Sequence, residues 1–267
     1  MTERRTALVT GASAGLGAAL ARAYAKNGWD LILTARREDR LAEIASALAV
    51  EFDITAAIIP EDLSDPAAPL RLVREIEGRG LVVDALINNA GYSLTQGFLE
   101  LSPADHAAMI QVMLSAPIEL SRRLAPAMTE RGFGRIMNVA SLAGLMPATG
   151  GDTLYGPIKS FLIKASNGLH LELKDRGVHV SALCPGYTLT EFHDANGSRA
   201  QVSGAYPGWM WMDADRVAEI GYHGLEDNRP VVVPGAANKA LAFLAKHLPD
   251  GMALKMVGGH AKRLDRL

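Results

Sequence analysis

Short apolar runs rich in β-branched residues alternate along the chain with longer stretches whose apolar residues recur at helical spacing. The runs are TALVT (6–10), DLILTA (30–35), TAAIIP (55–60), DALIN (84–88), GRIMNVA (134–140), VHVSALC (178–184) and PVVVP (230–234). They are apolar on both sides rather than alternating, as strands are when helices cover both faces of their sheet. The stretches between them predict helices over 16–27, 38–50, 66–78, 103–131, 153–176, 214–225 and 237–247. Strand and helix in alternation give an α/β fold, a doubly wound, seven-stranded parallel sheet, Rossmann-like, in a single domain over 1–267. Right-handed crossovers align the loops that follow the strand C-termini along one edge, where such sheets take ligands.

No repeat or low-complexity run divides the chain, and the one long irregular stretch is 187–212. A loop of that length in a compact domain is a lid or is disordered; it is read here as a substrate-side lid. It concentrates Trp209, Met210, Trp211 and Met212, while Tyr92, Leu94, Leu145, Met146 and Tyr187 fall on neighbouring loops. Such a set either walls an apolar pocket, favouring an aryl, alicyclic or long-chain ketone or alcohol, or forms a subunit contact or the lid's own core.

Charge narrows the partners. Lys plus Arg number 27 against 29 Asp plus Glu, a formal charge of −2 that offers no general field for a polyanion, so no nucleic acid is expected. Cys184 is the one cysteine and cannot form an internal disulfide, which makes the cytoplasm the default compartment. No apolar run approaches the ~18 residues of a membrane span, and neither a signal peptide, an anchor nor a membrane partner is expected.

TGASAGLG (10–17) follows the first strand and opens the first helix. Gly11 allows the tight turn, Gly15 lets the main chain approach a pyrophosphate on the helix N-terminus, and Gly17 permits close helix-on-strand packing. At the end of the second strand stands Ala35, followed by Arg36 and Arg37, where an NAD site wants a carboxylate for the ribose 2′-hydroxyl. A guanidinium suits a 2′-phosphate, which points to NADP(H) over NAD(H); the alternative is that both arginines are the solvated start of the next helix.

YGPIK (155–159) places a phenol and an ammonium four residues apart, on one side of a helix if the stretch is helical. Spacing alone leaves Tyr155 and Lys159 open between chemistry and ordinary surface. Pro157 between them offers no N–H, so the regular helix should begin close to Tyr155, with Asp152 or Thr153 near its cap.

Taken together, TGASAGLG, NNAG (88–91), NVASLAG (138–144), Tyr155, Lys159 and PGYTLT (185–190) stand in the order and nearly the spacing of the short-chain dehydrogenase/reductase family. The chain resembles the compact form of that family over nearly its whole length. The resemblance implies that Gly11, Ser13, Gly15 and Leu16 lie on the phosphate side of the cofactor and Asp62 beside the adenine. It implies further that Asn89, Ala90 and Gly91 line the cofactor, with Asn88 tying strands together, and that Pro185, Gly186, Thr188 and Thr190 cover the nicotinamide and phosphates. Ser141 matches the hydroxyl that orients the substrate oxygen. Hydride transfer to a ketone builds negative charge on oxygen, which Tyr155 would meet by donating its proton. Lys159 and an oxidised nicotinamide would favour the tyrosinate in the reverse direction, and by the resemblance Lys159 also grips the nicotinamide ribose.

One position departs from the pattern: Met113 stands where the family usually carries an asparagine that holds a water beside the lysine. Gln111 and Ser115 are each two residues away and point to the other side of a regular helix. Either the helix bends and Ser115 substitutes, or the lysine reaches water another way, or turnover is weak. Of the remaining candidates, Glu191, His193 and Asp194 read as a solvated loop rather than a metal site, and Cys184 as a packed, inert thiol. The chain is thus expected to be an NADP(H)-dependent oxidoreductase that interconverts an apolar ketone and alcohol as a homodimer or homotetramer. The alternative is a silent NADPH-binding sensor or scaffold; an epimerase or dehydratase is disfavoured by the few dozen residues that follow the last strand.

Overall fold

In a computed structural model, described at residues 4–94, 96–147, 154–190, 208–249, 251–252 and 254–255, all seven expected strands form one parallel sheet. In chain order the elements are β1 (Thr6–Thr10), α1 (Gly15–Lys26), β2 (Asp30–Thr34), α2 (Glu38–Phe52), β3 (Ala56–Ile58), α3 (Ala68–Gly78) and β4 (Ala85–Asn88). There follow α4 (Pro103–Ile110), a π-helical segment (Gln111–Ser115), α5 (Ala116–Glu130), β5 (Gly134–Val139), a 3₁₀ turn (Leu142–Leu145), α6 (Tyr155–Leu173) and β6 (Val178–Leu183). The last are β7 (Thr188–Leu189), β8 (Met212–Asp213), α7 (Ala214–Glu226), β9 (Val231–Val232) and α8 (Ala236–His247).

The strand order is β3-β2-β1-β4-β5-β6-β9. Successive strands step outward from β1 in one direction and from β4 in the other, so the order reverses between those two and opens a crevice beyond their C-terminal ends. Alternate residues of β1 serve the two faces: Ala7 and Val9 meet Leu20, Tyr24 and Val217 of α1 and α7, whereas Leu8 meets Leu72, Leu120 and Leu173 of α3, α5 and α6. Leu8 is fully buried, as are Leu33, Leu86 and Ile87, each burial stabilising the fold by roughly 1.5–3 kcal/mol.

Two expectations are corrected. The helix predicted over 103–131 is interrupted at the π segment, and Pro117 is the cause. It has no N–H to give the Met113 carbonyl four residues back, and its ring crowds that carbonyl. The Ala116 N–H reaches the Gln111 carbonyl, five residues back, and the helix widens by a residue there. The second correction concerns 187–212, whose two ends form strands: β7 pairs in parallel with β8, Thr188 opposite Met212. Residues 191–207 lie outside those described.

Candidate active site

The glycine turn sits at the reversal point of the sheet. Gly11 and Gly15 have positive φ, +66° and +53°, which a side chain would strain. A β-carbon on Gly11 would fall 2.8 Å from Ala90 Cα, one on Gly15 3.1 Å from Thr190 Cβ, and one on Gly17 against the Gly11 carbonyl. The turn is therefore pressed between the segments after β4 and β6. Thr10, which sequence reasoning passed over, locks the first of these contacts. Its hydroxyl oxygen accepts from the Asn89 and Ala90 N–H groups at 2.9 and 3.0 Å, and Asn89 Nδ2 donates to the Thr10 carbonyl at 2.9 Å. Ser13 is buried in the turn, and Leu16 packs half-buried against the core.

The two arginines part. Arg37 turns back on the glycine loop, its Nε and Nη2 both 3.3 Å from Ser13 Oγ and its Nη2 3.3 Å from the Ser13 carbonyl. Arg36 is exposed and lies within electrostatic reach of Tyr92. Burial raises the Tyr92 pKa; Arg36 opposes that rise, and Asp105 and Asp62 add to it. Asp62 is exposed and accepts from the Ser64 N–H at 3.0 Å, holding the turn after β3.

Ser141 follows β5 in extended backbone, its Oγ accepting from the Ala143 N–H at 3.1 Å to start the 3₁₀ turn. Gly144 in that turn lies directly on α6: a β-carbon there would fall 2.6 Å from the Lys159 carbonyl carbon and 2.7 Å from Ser160 N. Tyr155 is the first residue of α6, as Pro157 requires; the N-cap position belongs to Leu154, which offers no side-chain bond, and Asp152 and Thr153 lie outside the described residues. One turn later Lys159 reaches into the protein. It is 4% exposed, donates from Nζ to the Val139 carbonyl at 2.7 Å, and stands 5.5 Å from the centre of the Tyr155 ring.

Burial lowers the Lys159 pKa from 10.5 to about 8, with Cys184 pulling it back up. The Cys184 thiol is pushed up to about 12 by its own burial, against the lysine's charge and a bond from the Ser141 N–H. It is a packed neutral thiol, but one set beside the lysine. Met113 is 1% exposed, and a β-carbon on Gly91 would fall 2.9 Å from its Sδ and 3.7 Å from Lys159 Nζ. Gly91 thus sits between thioether and ammonium, and a side chain there would have to displace the Met113 thioether. Asn88 bridges strands, Nδ2 donating to Asn138 Oδ1 at 2.9 Å, and Asn138 Nδ2 continues to Ser166 Oγ on α6 at 2.9 Å.

The segment after β6 closes the group. The Pro185 carbonyl accepts from the Leu142 N–H at 2.8 Å, and Thr188 Oγ1 donates to the Gly186 carbonyl at 3.1 Å. Asn238 of α8 presses on Gly186, where a β-carbon would lie 2.6 Å from its Oδ1, and its Nδ2 donates to the Pro234 carbonyl at 2.8 Å. Sequence reasoning missed it; the signal was an amide in phase with the apolar Leu241, Ala242 and Ala245 on one face of the helix. Tyr187 and Trp211 face each other with ring centres 5.3 Å apart, and the Met212 N–H bonds the Tyr187 carbonyl at 2.9 Å. Of the residues expected to wall a pocket, Leu145 and Met212 are partly buried against apolar clusters, and Tyr92 and Leu94 pack with Met113 and Tyr155. Glu191, His193, Asp194 and the Trp209 side chain are outside the described residues, among which no cluster of His, Cys, Asp or Glu could hold a metal.

The model of one known family, described as short chain dehydrogenase, matches residues 5–201. Sulfoacetaldehyde reductase 2 of Chromohalobacter salexigens is 33% identical over 220 residues, 81% of this chain and 86% of its own. Among solved structures, a short-chain dehydrogenase from Sphingobium yanoikuyae in complex with NADPH superposes with a TM-score of 0.78 at 29% identity, covering 92% of this chain and 96% of that one. The bulky-bulky ketone specific alcohol dehydrogenase from Comamonas testosteroni gives a TM-score of 0.75 at 27% identity, covering 93% and 96%.

Proposed function

The chain belongs to the short-chain dehydrogenases, oxidoreductases that act between CH–OH and C=O with a nicotinamide cofactor, and on that premise we propose that it reduces an apolar ketone with NADPH, Tyr155 acting as general acid. The observation that carries this reading is the buried Lys159 ammonium, held by the Val139 carbonyl one turn from the Tyr155 phenol. A cation in that position lowers the cost of the tyrosinate left behind when the phenol gives up its proton.

The residues fit a dinucleotide. Two glycines with positive φ bare their backbone at the N-terminus of α1, where N–H groups and helix dipole favour a pyrophosphate. Gly11, Ser13, Gly15 and Leu16 would hold the phosphates, Asp62 the adenine side, and Asn89, Ala90 and Gly91 the crevice floor. Pro185, Gly186, Thr188 and Thr190 would cover the nicotinamide end. Bound there, NADPH supplies the hydride. Ser141 would orient the substrate oxygen, and Tyr155 would pass it a proton. Arg36 and Arg37 support NADP(H): neither position offers the carboxylate that a 2′-hydroxyl calls for, and the Arg37 guanidinium already lies over the phosphate turn.

Tyr187 and Trp211, held together at the joined ends of 187–212, support an apolar substrate and a lid over it. Exposed Ile110, Phe161 and Leu171 on α4 and α6 support a homodimer or homotetramer. The test is NADPH oxidation across a panel of aryl, alicyclic and long-chain ketones, with NADH beside it. Turnover of apolar ketones with at least tenfold preference for NADPH is expected. Binding without oxidation over a broad apolar set would favour the silent sensor, and equal use of NADH would remove the role given to the arginines.

A further inference from the structure

We infer that α8 and the residues just after it dock the protein peripherally on an anionic lipid surface. Among the described residues twelve large apolar side chains are exposed, and four of them, Phe243 (63%), Leu244 (52%), Met252 (59%) and Leu254 (52%), fall together at the C-terminal end. On α8 the Phe243 ring lies one turn from both Lys239 and Lys246, so ring and ammonium groups share the outward face. Asn238, 5% exposed, marks the face turned to the protein. Exposed apolar side chains beside lysines on one helix are the composition of a helix that lies in the plane of a membrane surface, apolar groups entering the headgroup boundary and ammonium groups staying among the phosphates.

Charge decides between a lipid surface and a second copy of the chain. Among the described residues from Ala236 onward the charged side chains are Lys239, Lys246 and Lys255, with no Asp or Glu, although the whole chain carries −2. A two-fold contact through this face would set its lysines against their own copies, which repel. Anionic headgroups complement the same lysines, each contributing about a five-fold factor in affinity near such a surface. Among the described residues no helix is long and apolar enough to cross a membrane, so the docking is peripheral.

The position has a consequence for access. α8 packs against the 3₁₀ turn that follows Ser141, and its Asn238 presses on Gly186. A docked α8 would hold the ligand edge of the sheet close to the lipid phase, where an apolar substrate partitions.

The full chain, without cofactor, is sedimented with vesicles of pure phosphatidylcholine and with vesicles containing phosphatidylglycerol. Binding to the anionic vesicles alone is expected, weakening as salt is raised. The double variant Lys239→Glu with Lys246→Glu should weaken it by at least about 25-fold, and Phe243→Ser with Leu244→Ser should abolish it, while reduction of a water-soluble ketone is unchanged in both. Because vesicle binding is read without turnover, its failure is distinct from a failure of the hydride chemistry. Equal binding to both vesicle types, or indifference to both variants, would overturn the inference. So would absence of vesicle binding together with a lower solution mass for Phe243→Ser with Leu244→Ser, which would assign the face to a second copy.

Discussion

Lys159 donates to the Val139 carbonyl at 2.7 Å from a position 5.5 Å from the centre of the Tyr155 ring. The carbonyl belongs to the last residue of β5, so the sheet fixes the ammonium, and α6 fixes the phenol one turn earlier. The pair is set by two rigid elements, not by the loop between them.

Burial holds the Lys159 pKa at about 8 against 10.5. Below pH 8 folded and unfolded chains both carry the charge, and the cost of burying it is fully present. Between about 8 and 10.5 the unfolded chain still binds a proton that the folded one has lost, so stability from this group rises with pH and the cost disappears. Lys159→Met should therefore abolish turnover yet raise the unfolding free energy at pH 7 by up to about 3 kcal/mol, less the lost Val139 bond. The gain should shrink toward pH 10 in denaturant unfolding; an equal difference at both pH values would contradict the buried charge.

Met113→Asn exchanges the thioether beside the ammonium for an amide that can hydrogen-bond and hold water. The Lys159 pKa should rise, and the alkaline limit of turnover should move upward with it. The maximal rate should change by less than about tenfold, because the proton donor and the cofactor cradle are untouched. A gain of several orders of magnitude in the pH–rate profile would mean that the natural enzyme is crippled at this position, as the sensor reading requires.

Gly144→Ala places a methyl on the backbone of α6 at Lys159, where neither side can give way as a flexible side chain would. A loss of about 1–3 kcal/mol in stability is expected, with a larger fall in kcat than in cofactor affinity, because the displaced turn carries Ser141. Thermal melts and NADPH titration separate the two. An unchanged kcat would show that the turn does not position the serine.

How much of this could be read from residue order follows from what each feature depends on. Strands buried on both faces leave continuous apolar runs, so all seven were legible in place, five of them to within a residue, while β3 and β9 are shorter than their runs TAAIIP and PVVVP suggest. The π segment left no mark on the hydrophobic period, although Pro117 gave its cause locally. β7 and β8 are two residues each and form because distant segments meet, which no local pattern encodes. Chemistry at the site divided the same way. Tyr155, Lys159 and the glycine turn were visible as spacing, whereas the burial of Lys159, the turn of Arg37 onto Ser13 and the press of Asn238 on Gly186 depend on tertiary approach.

The most direct measurement is Tyr155→Phe, which removes one hydroxyl and leaves the ring packed among Met113 and Ile158. NADPH titration by fluorescence should give an affinity within about twofold of the natural chain, while ketone reduction falls by about 10²–10⁴-fold or below detection. Turnover retained at the natural rate, with the cofactor bound, would show that the proton comes from elsewhere and that the phenol beside Lys159 is not the acid.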